Sequence, residues 1–95
     1  MYDISDELYR ITICLVIDRI GDQGYISDVI EFEHDEMLCR LHLSAVIYRQ
    51  TSVYPEGKIT AISDIIPVWW EFHTYTSEGE EVLNTFSFNE LRQYI

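Results

Sequence analysis

The stretch Val68-Trp69-Trp70-Glu71-Phe72-His73-Thr74-Tyr75-Thr76, followed by Ser77-Glu78-Gly79-Glu80 and by the segment from Glu81 to Phe86, decides how this chain is read. It holds both tryptophans, and large aromatic side chains dominate cores and interfaces. Its wealth of aromatic and β-branched residues predicts a strand. Period-2 geometry puts Val68, Trp70, Phe72 and Thr74 on one face, read as the core face, and Trp69, Glu71, His73 and Tyr75 on the other. A three-residue loop Ser77-Glu78-Gly79 fits the turn, because its last position needs a left-handed backbone that glycine adopts without strain. A two-residue Glu78-Gly79 loop is the alternative. The longer loop sets Thr74 opposite Val82 and Trp70 opposite Phe86, and a slip of one residue would turn the whole core set toward solvent.

Upstream, Ile59 to Ile66 runs into this strand through Pro67, which lacks an amide hydrogen and belongs at a sheet edge, a bulge or a strand start. One bent strand or two short ones are expected there. Tyr54-Pro55-Glu56-Gly57 has the chemistry of a reversal. Before it, Met37 to Arg49 alternates cleanly, with Met37, Cys39, Leu41, Leu43, Ala45 and Ile47 inward and Leu38, Arg40, His42, Ser44, Val46 and Tyr48 outward. A turn at Asp35-Glu36 separates that strand from Val29 to His34, whose Ile30, Phe32 and His34 share a face opposite Glu31 and Glu33.

Near the amino terminus, Ser5 followed by Asp6 and Glu7 is a helix start, with Ile4 placed to staple onto Tyr9. About four turns are expected, stopped by Gly21-Asp22-Gln23-Gly24. Leu8, Ile11 and Leu15 lie on one side of that helix and Ile13, Ile17 and Ile20 nearly opposite, a two-sided pattern that asks for two packing partners. The rival assignment for residues 11 to 17 is a strand, since their β-branched residues alternate. At the other end, Ser87-Phe88-Asn89-Glu90 reads as a capping box with Phe86 and Leu91 as its staple, opening a short helix that must dock on the sheet. The predicted fold is α+β: one domain over residues 1 to 95, with an N-terminal helix, an antiparallel sheet of four or five strands and a short C-terminal helix.

Ninety-five residues, 47% hydrophobic and 14% aromatic, suffice for a real core. No window approaches the roughly 20 unbroken apolar residues of a membrane span. Asp3, Asp6 and Glu7 precede the first apolar run, where a signal peptide would carry basic residues, so a cytoplasmic location with no membrane partner is expected. Seventeen acidic residues against six basic ones give a net charge of −11, which repels phosphate backbones and disfavours direct nucleic-acid binding. Attraction to a basic protein is the sharper reading of that charge, and a solubilising surface the plainer one. Cys14 and Cys39 lack CxxC spacing and are expected as buried thiols.

Three constellations are candidates for chemistry. His34, Asp35, Glu36, Cys39 and His42 carry zinc-ligand types, but alternation turns Cys39 inward and His42 outward, so no metal site is expected. Glu71 and His73 share a face as a carboxylate-oriented base would, yet no nucleophile accompanies them: Ser63, Ser77 and Ser87 are read as turn or cap residues, and no phosphate loop or GxSxG elbow exists. No cofactor motif is present either. Trp69 and Tyr75 on that same face have the amphipathic character of interface residues, unless a helix covers them, one terminal helix lying on each sheet face.

The combination of Val68 to Thr74 with Glu81-Val82-Leu83-Asn84-Thr85-Phe86-Ser87-Phe88-Asn89-Glu90-Leu91 resembles small uncharacterised acidic proteins of gut Bacteroidetes. That resemblance covers chiefly the last third of the chain and implies no activity, cofactor or site. The expected function is a non-enzymatic protein-interaction domain, homo-oligomeric, with Trp69, Glu71, His73 and Tyr75 as its surface. An acidic decoy occupying the nucleic-acid site of a basic protein is the alternative, and a small hydrolase or ligand-binding enzyme built on Glu71 and His73 ranks last.

Overall fold

In the computed structural model, which describes residues 1–95, the Ser5 hydroxyl accepts the Leu8 amide hydrogen at 3.1 Å and opens helix α1, Asp6–Ile20. Gly21, at φ +54°, ends it with its amide on the Ile17 carbonyl. Residues 11 to 17 are therefore helical. The two-sided pattern does not survive: Leu8, Tyr9, Thr12, Ile13, Val16 and Ile20 form one broad buried face, and Ile17 is exposed. Tyr9, Thr12 and Val16 fill the arc between the two apolar sets. Thr12 joins a core stripe because its hydroxyl donates to the Leu8 carbonyl at 2.7 Å and leaves no polar atom unpaired.

Strands β1 (Tyr25–His34), β2 (Met37–Tyr54), β3 (Gly57–Tyr75) and β4 (Glu81–Val82) form an antiparallel meander in that spatial order. β1 starts four residues earlier than its sequence pattern indicates. Asp35 and Glu36 both sit at positive φ, 50° and 66°, in the two-residue turn that joins it to β2. β2 continues past Arg49 to Tyr54, and β3 is one bent strand. Its ladder shifts register twice, leaving Val68 and Ser63 without partners on β2. The first shift corrects a core assignment: Val68, beside Pro67, is 68% exposed. Ser63 thus belongs to a strand irregularity, not to a turn.

Thr74 pairs with Val82 as the three-residue loop requires, and Gly79 occupies the left-handed position at φ 87°. The ladder then stops before Phe86. Asn84 donates its side-chain amide to the Phe72 carbonyl at 3.1 Å, while Tyr2 exchanges backbone hydrogen bonds with Leu83 and Thr85. Trp70 and Phe86 still meet through their rings, at 5.4 Å. Trp70 is half-buried rather than central; Phe72, stacked on Phe86 at 4.1 Å, is buried.

Helix α2 (Phe88–Arg92) begins where the capping motif places it, but the Ser87 hydroxyl makes no cap bond. Instead the Ser87 amide donates to the Tyr9 hydroxyl, and Arg92 grips Asp64 with hydrogen bonds of 3.0 and 2.6 Å. Leu91 is fully buried. Leu8, Val16, Leu41, Leu43, Ile65, Phe88 and Leu91 belong to one cluster, so both helices lie on the same side of the sheet. This overturns the arrangement with one helix on each face.

Beyond Arg49 and Ile62 the β2–β3 pair leaves the body as a two-stranded arm, in which every residue from 50 to 61 except Ser52 is exposed. Arg49 anchors its root, donating to the carbonyls of Gly21 and Gln23 at 2.7 Å each. The arm stretches the molecule to 53 × 23 × 18 Å and raises its radius of gyration to 14.9 Å. A compact chain of this length would measure about 12 Å. No helix is long and apolar enough to cross a membrane.

Candidate functional site: the open sheet face

Because both helices cover one face, alternation leaves the other bare. Trp69, Glu71, His73 and Tyr75 all lie on it, opposite Ser44, His42, Arg40 and Leu38 of β2. Val29, Glu31 and Glu33 of β1 complete the rows. Trp69 is 49% exposed. Near the arm the surface is apolar, since Tyr25, Val46 and Ile66 pair across three strands beside Trp69.

Toward the two turns the same face becomes a charged network. His73 Nδ1 lies 3.0 Å from Glu81 and Nε2 lies 3.0 Å from Glu71, so the ring bridges β3 and β4 between two carboxylates. Hydrogen bonds to Glu71 first, then to Glu81, raise its pKa above the ordinary histidine value. His42 stands edge-on to both Trp69 and His73, at 6.0 and 6.1 Å between ring centres. Arg40 pairs with Glu31 at 2.9 Å and lies 5.2 Å above the Tyr75 ring.

Chemically, the face offers aromatic rings beside paired charges. A base needs a ring nitrogen free to take a proton, and both nitrogens of His73 are engaged by carboxylates. Two shallow depressions mark the face, one around His42, Ser44 and Trp69 and one around Glu33, Arg40 and Tyr75, and neither is lined by Glu71 or His73. Cys39 is buried, and that burial pushes its thiol up to about 11, whereas Cys14 is exposed, against expectation. No group of three or more His, Cys, Asp or Glu side chains converges as a metal would need. The sequence reading of this face omitted its neighbours Arg40, His42 and Val46; their outward alternation was visible, but joining them to Trp69 required the register between β2 and β3.

The carboxylates are unevenly placed. Leu38 pairs with Tyr75, so the β1–β2 and β3–β4 turns share one end of the molecule, where Glu33, Asp35, Glu36, Glu78, Glu80 and Glu81 gather. The opposite end is the arm. Residues 50 to 61 hold Lys58 against Glu56 and are neutral, which leaves the whole net charge of −11 on the body.

No protein-family model, curated protein or solved structure matches the chain.

Proposed function

We propose that this protein is a non-enzymatic protein-interaction domain that binds through its open sheet face, with self-association as its first mode. The observation that supports this is the placement of both helices on one side, which leaves Trp69 among Tyr25, Val29, Val46 and Ile66 on an uncovered sheet surface. Monomers rarely leave a contiguous apolar sheet surface unoccupied. Its centre is aromatic and its rim carries the Glu31–Arg40 and Glu71–His73–Glu81 pairs, the usual division between an interface core and its polar edge.

Light scattering over the micromolar range tests self-association, and capture from native lysate with wild-type and Trp69→Ser baits tests a different partner. Self-association, or a captured protein that the variant fails to hold, is expected. Monomeric behaviour together with identical capture by both baits refutes the reading.

The second reading, an acidic decoy for a basic protein, draws on the carboxylates gathered at the turn end. A duplex mimic needs them in a long row. Here Glu31 is engaged by Arg40 and Glu71 and Glu81 by His73, so these three do not make a free row along the open face. Direct nucleic-acid binding and membrane attachment find no support in such a charge pattern.

A further inference from the structure

The arm is the feature that the body does not explain. A two-stranded ribbon alone in water is marginally stable, yet this one carries Val53 at 74%, Ile59 at 60% and Tyr54 at 51% exposure. Such a ribbon gains by lying against another surface. Its register pairs Ser52 with Ile59 and Tyr54 with Gly57, so Ile59 and Tyr54 share the face that continues the open side of the sheet through Val46 and Tyr48.

We infer that the partner of the open face is a second copy of this chain, in an antiparallel two-fold dimer in which the arm of each copy lies across the bare sheet of the other. This rests on the interaction-domain reading and names the occupant of that surface. Three observations carry it. Charge comes first: the arm from Gln50 to Ala61 is neutral, Lys58 offsetting Glu56, so it lies over its partner's acidic end without the repulsion that two bodies laid acidic end to acidic end would meet.

Length agrees. Strand β2 runs from Met37 to Tyr54, so a two-fold axis near Val46 brings Tyr54 of one copy over Leu38 of the other, and the arm spans about 20 Å of a sheet about 30 Å long. Area agrees too. A face 53 Å long and about three strands wide offers on the order of 700 Å² per copy, close to the roughly 800 Å² per partner of a standard interface. The contact is isologous and closes, leaving no surface for further growth.

Sedimentation equilibrium over the micromolar range, on wild type, on a Tyr54→Ser, Ile59→Ser double variant and on Trp69→Ser, tests this. All three replaced side chains are exposed, and urea melts of the variants at low concentration check that each still folds. The expected result is a dimer of the 11.3 kDa chain whose dissociation constant rises by at least about tenfold in both variants. Weakening by Trp69→Ser alone overturns the arm and leaves the open-face reading standing. Weakening by the arm variant alone overturns the bare sheet as its seat. A dimer indifferent to both overturns the inference and self-association through this face together. A monomer at every concentration overturns the second copy as occupant, and the open-face reading then stands or falls on the Trp69→Ser capture experiment.

Discussion

The Tyr9 hydroxyl accepts the Ser87 amide hydrogen at 3.1 Å across 78 positions of sequence, and so helix α1 supplies the start of helix α2. The same ring stacks on Tyr94 at 5.5 Å and tilts against Phe86 at 5.4 Å. Tyr9→Phe keeps the ring and removes only the acceptor. A hydrogen bond of this kind contributes about 1 kcal/mol net, and somewhat more where its partner is left unpaired. Urea melts are therefore expected to show a loss of about 1 to 2 kcal/mol, with Ser87→Ala far milder because the Ser87 hydroxyl caps nothing.

The two tryptophans separate folding from association. Trp70 packs on Phe86 and Phe88, at 5.4 and 6.2 Å, and is half-buried, so Trp70→Ala is expected to cost about 3 kcal/mol, the low end for a large aromatic. Trp69 is exposed, and Trp69→Ala should cost the isolated fold no more than about 1 kcal/mol. Denaturant melts at two protein concentrations check both values. A larger loss for Trp69 at low concentration would mean that the open face supports the monomer.

The sheet was readable wherever alternation and turn chemistry agreed. From Met37 to Tyr48 every inward and outward assignment holds, and the Thr74–Val82 pairing is that of the Ser77-Glu78-Gly79 loop, not of the two-residue alternative that also ends on Gly79. Three features were hidden for physical reasons. Val68 satisfies the alternation, but a bulge moves it out of phase, and the backbone irregularity that does so involves contacts with β2 that no local pattern encodes. The capping box at Ser87 is a local motif overridden by a tertiary donor–acceptor pair with Tyr9. The arm escaped notice because the polar run Gln50-Thr51-Ser52 breaks the alternation of β2, and it is cross-strand pairing with Ile59, Thr60 and Ala61 that carries the strand past Arg49. For the site, Trp69, Glu71, His73 and Tyr75 do share a face; its exposure depended on where the helices lie, which periodicity along α1 does not determine.

The turn at Asp35-Glu36 offers a stabilising change. Both residues hold left-handed backbone angles, which for a residue with a Cβ cost about 1 to 2 kcal/mol each. Glycine adopts this conformation freely, at an entropic cost in the unfolded chain that recovers part of the gain. Glu36→Gly is therefore expected to raise stability by about 0.5 to 1 kcal/mol, read as a higher urea midpoint at unchanged slope.

His73 makes stability depend on pH in a direction fixed by its partners. Glu71 and Glu81 favour its charged form, so its folded pKa lies above the unfolded value of about 6.5. The native state then holds the proton more tightly than the unfolded chain. The contribution is fully present below about pH 6.5 and is lost as pH rises through the raised folded value. The partner carboxylates are half-exposed, and solvent screening holds the whole effect to about 1 kcal/mol or less. Wild type is expected to exceed His73→Gln in stability at about pH 5.5, with the gap closing by about pH 9 and shrinking at high salt. A gap that stays constant across that range would show that His73 holds β4 through neutral hydrogen bonds alone, and that its charge does nothing for the hairpin.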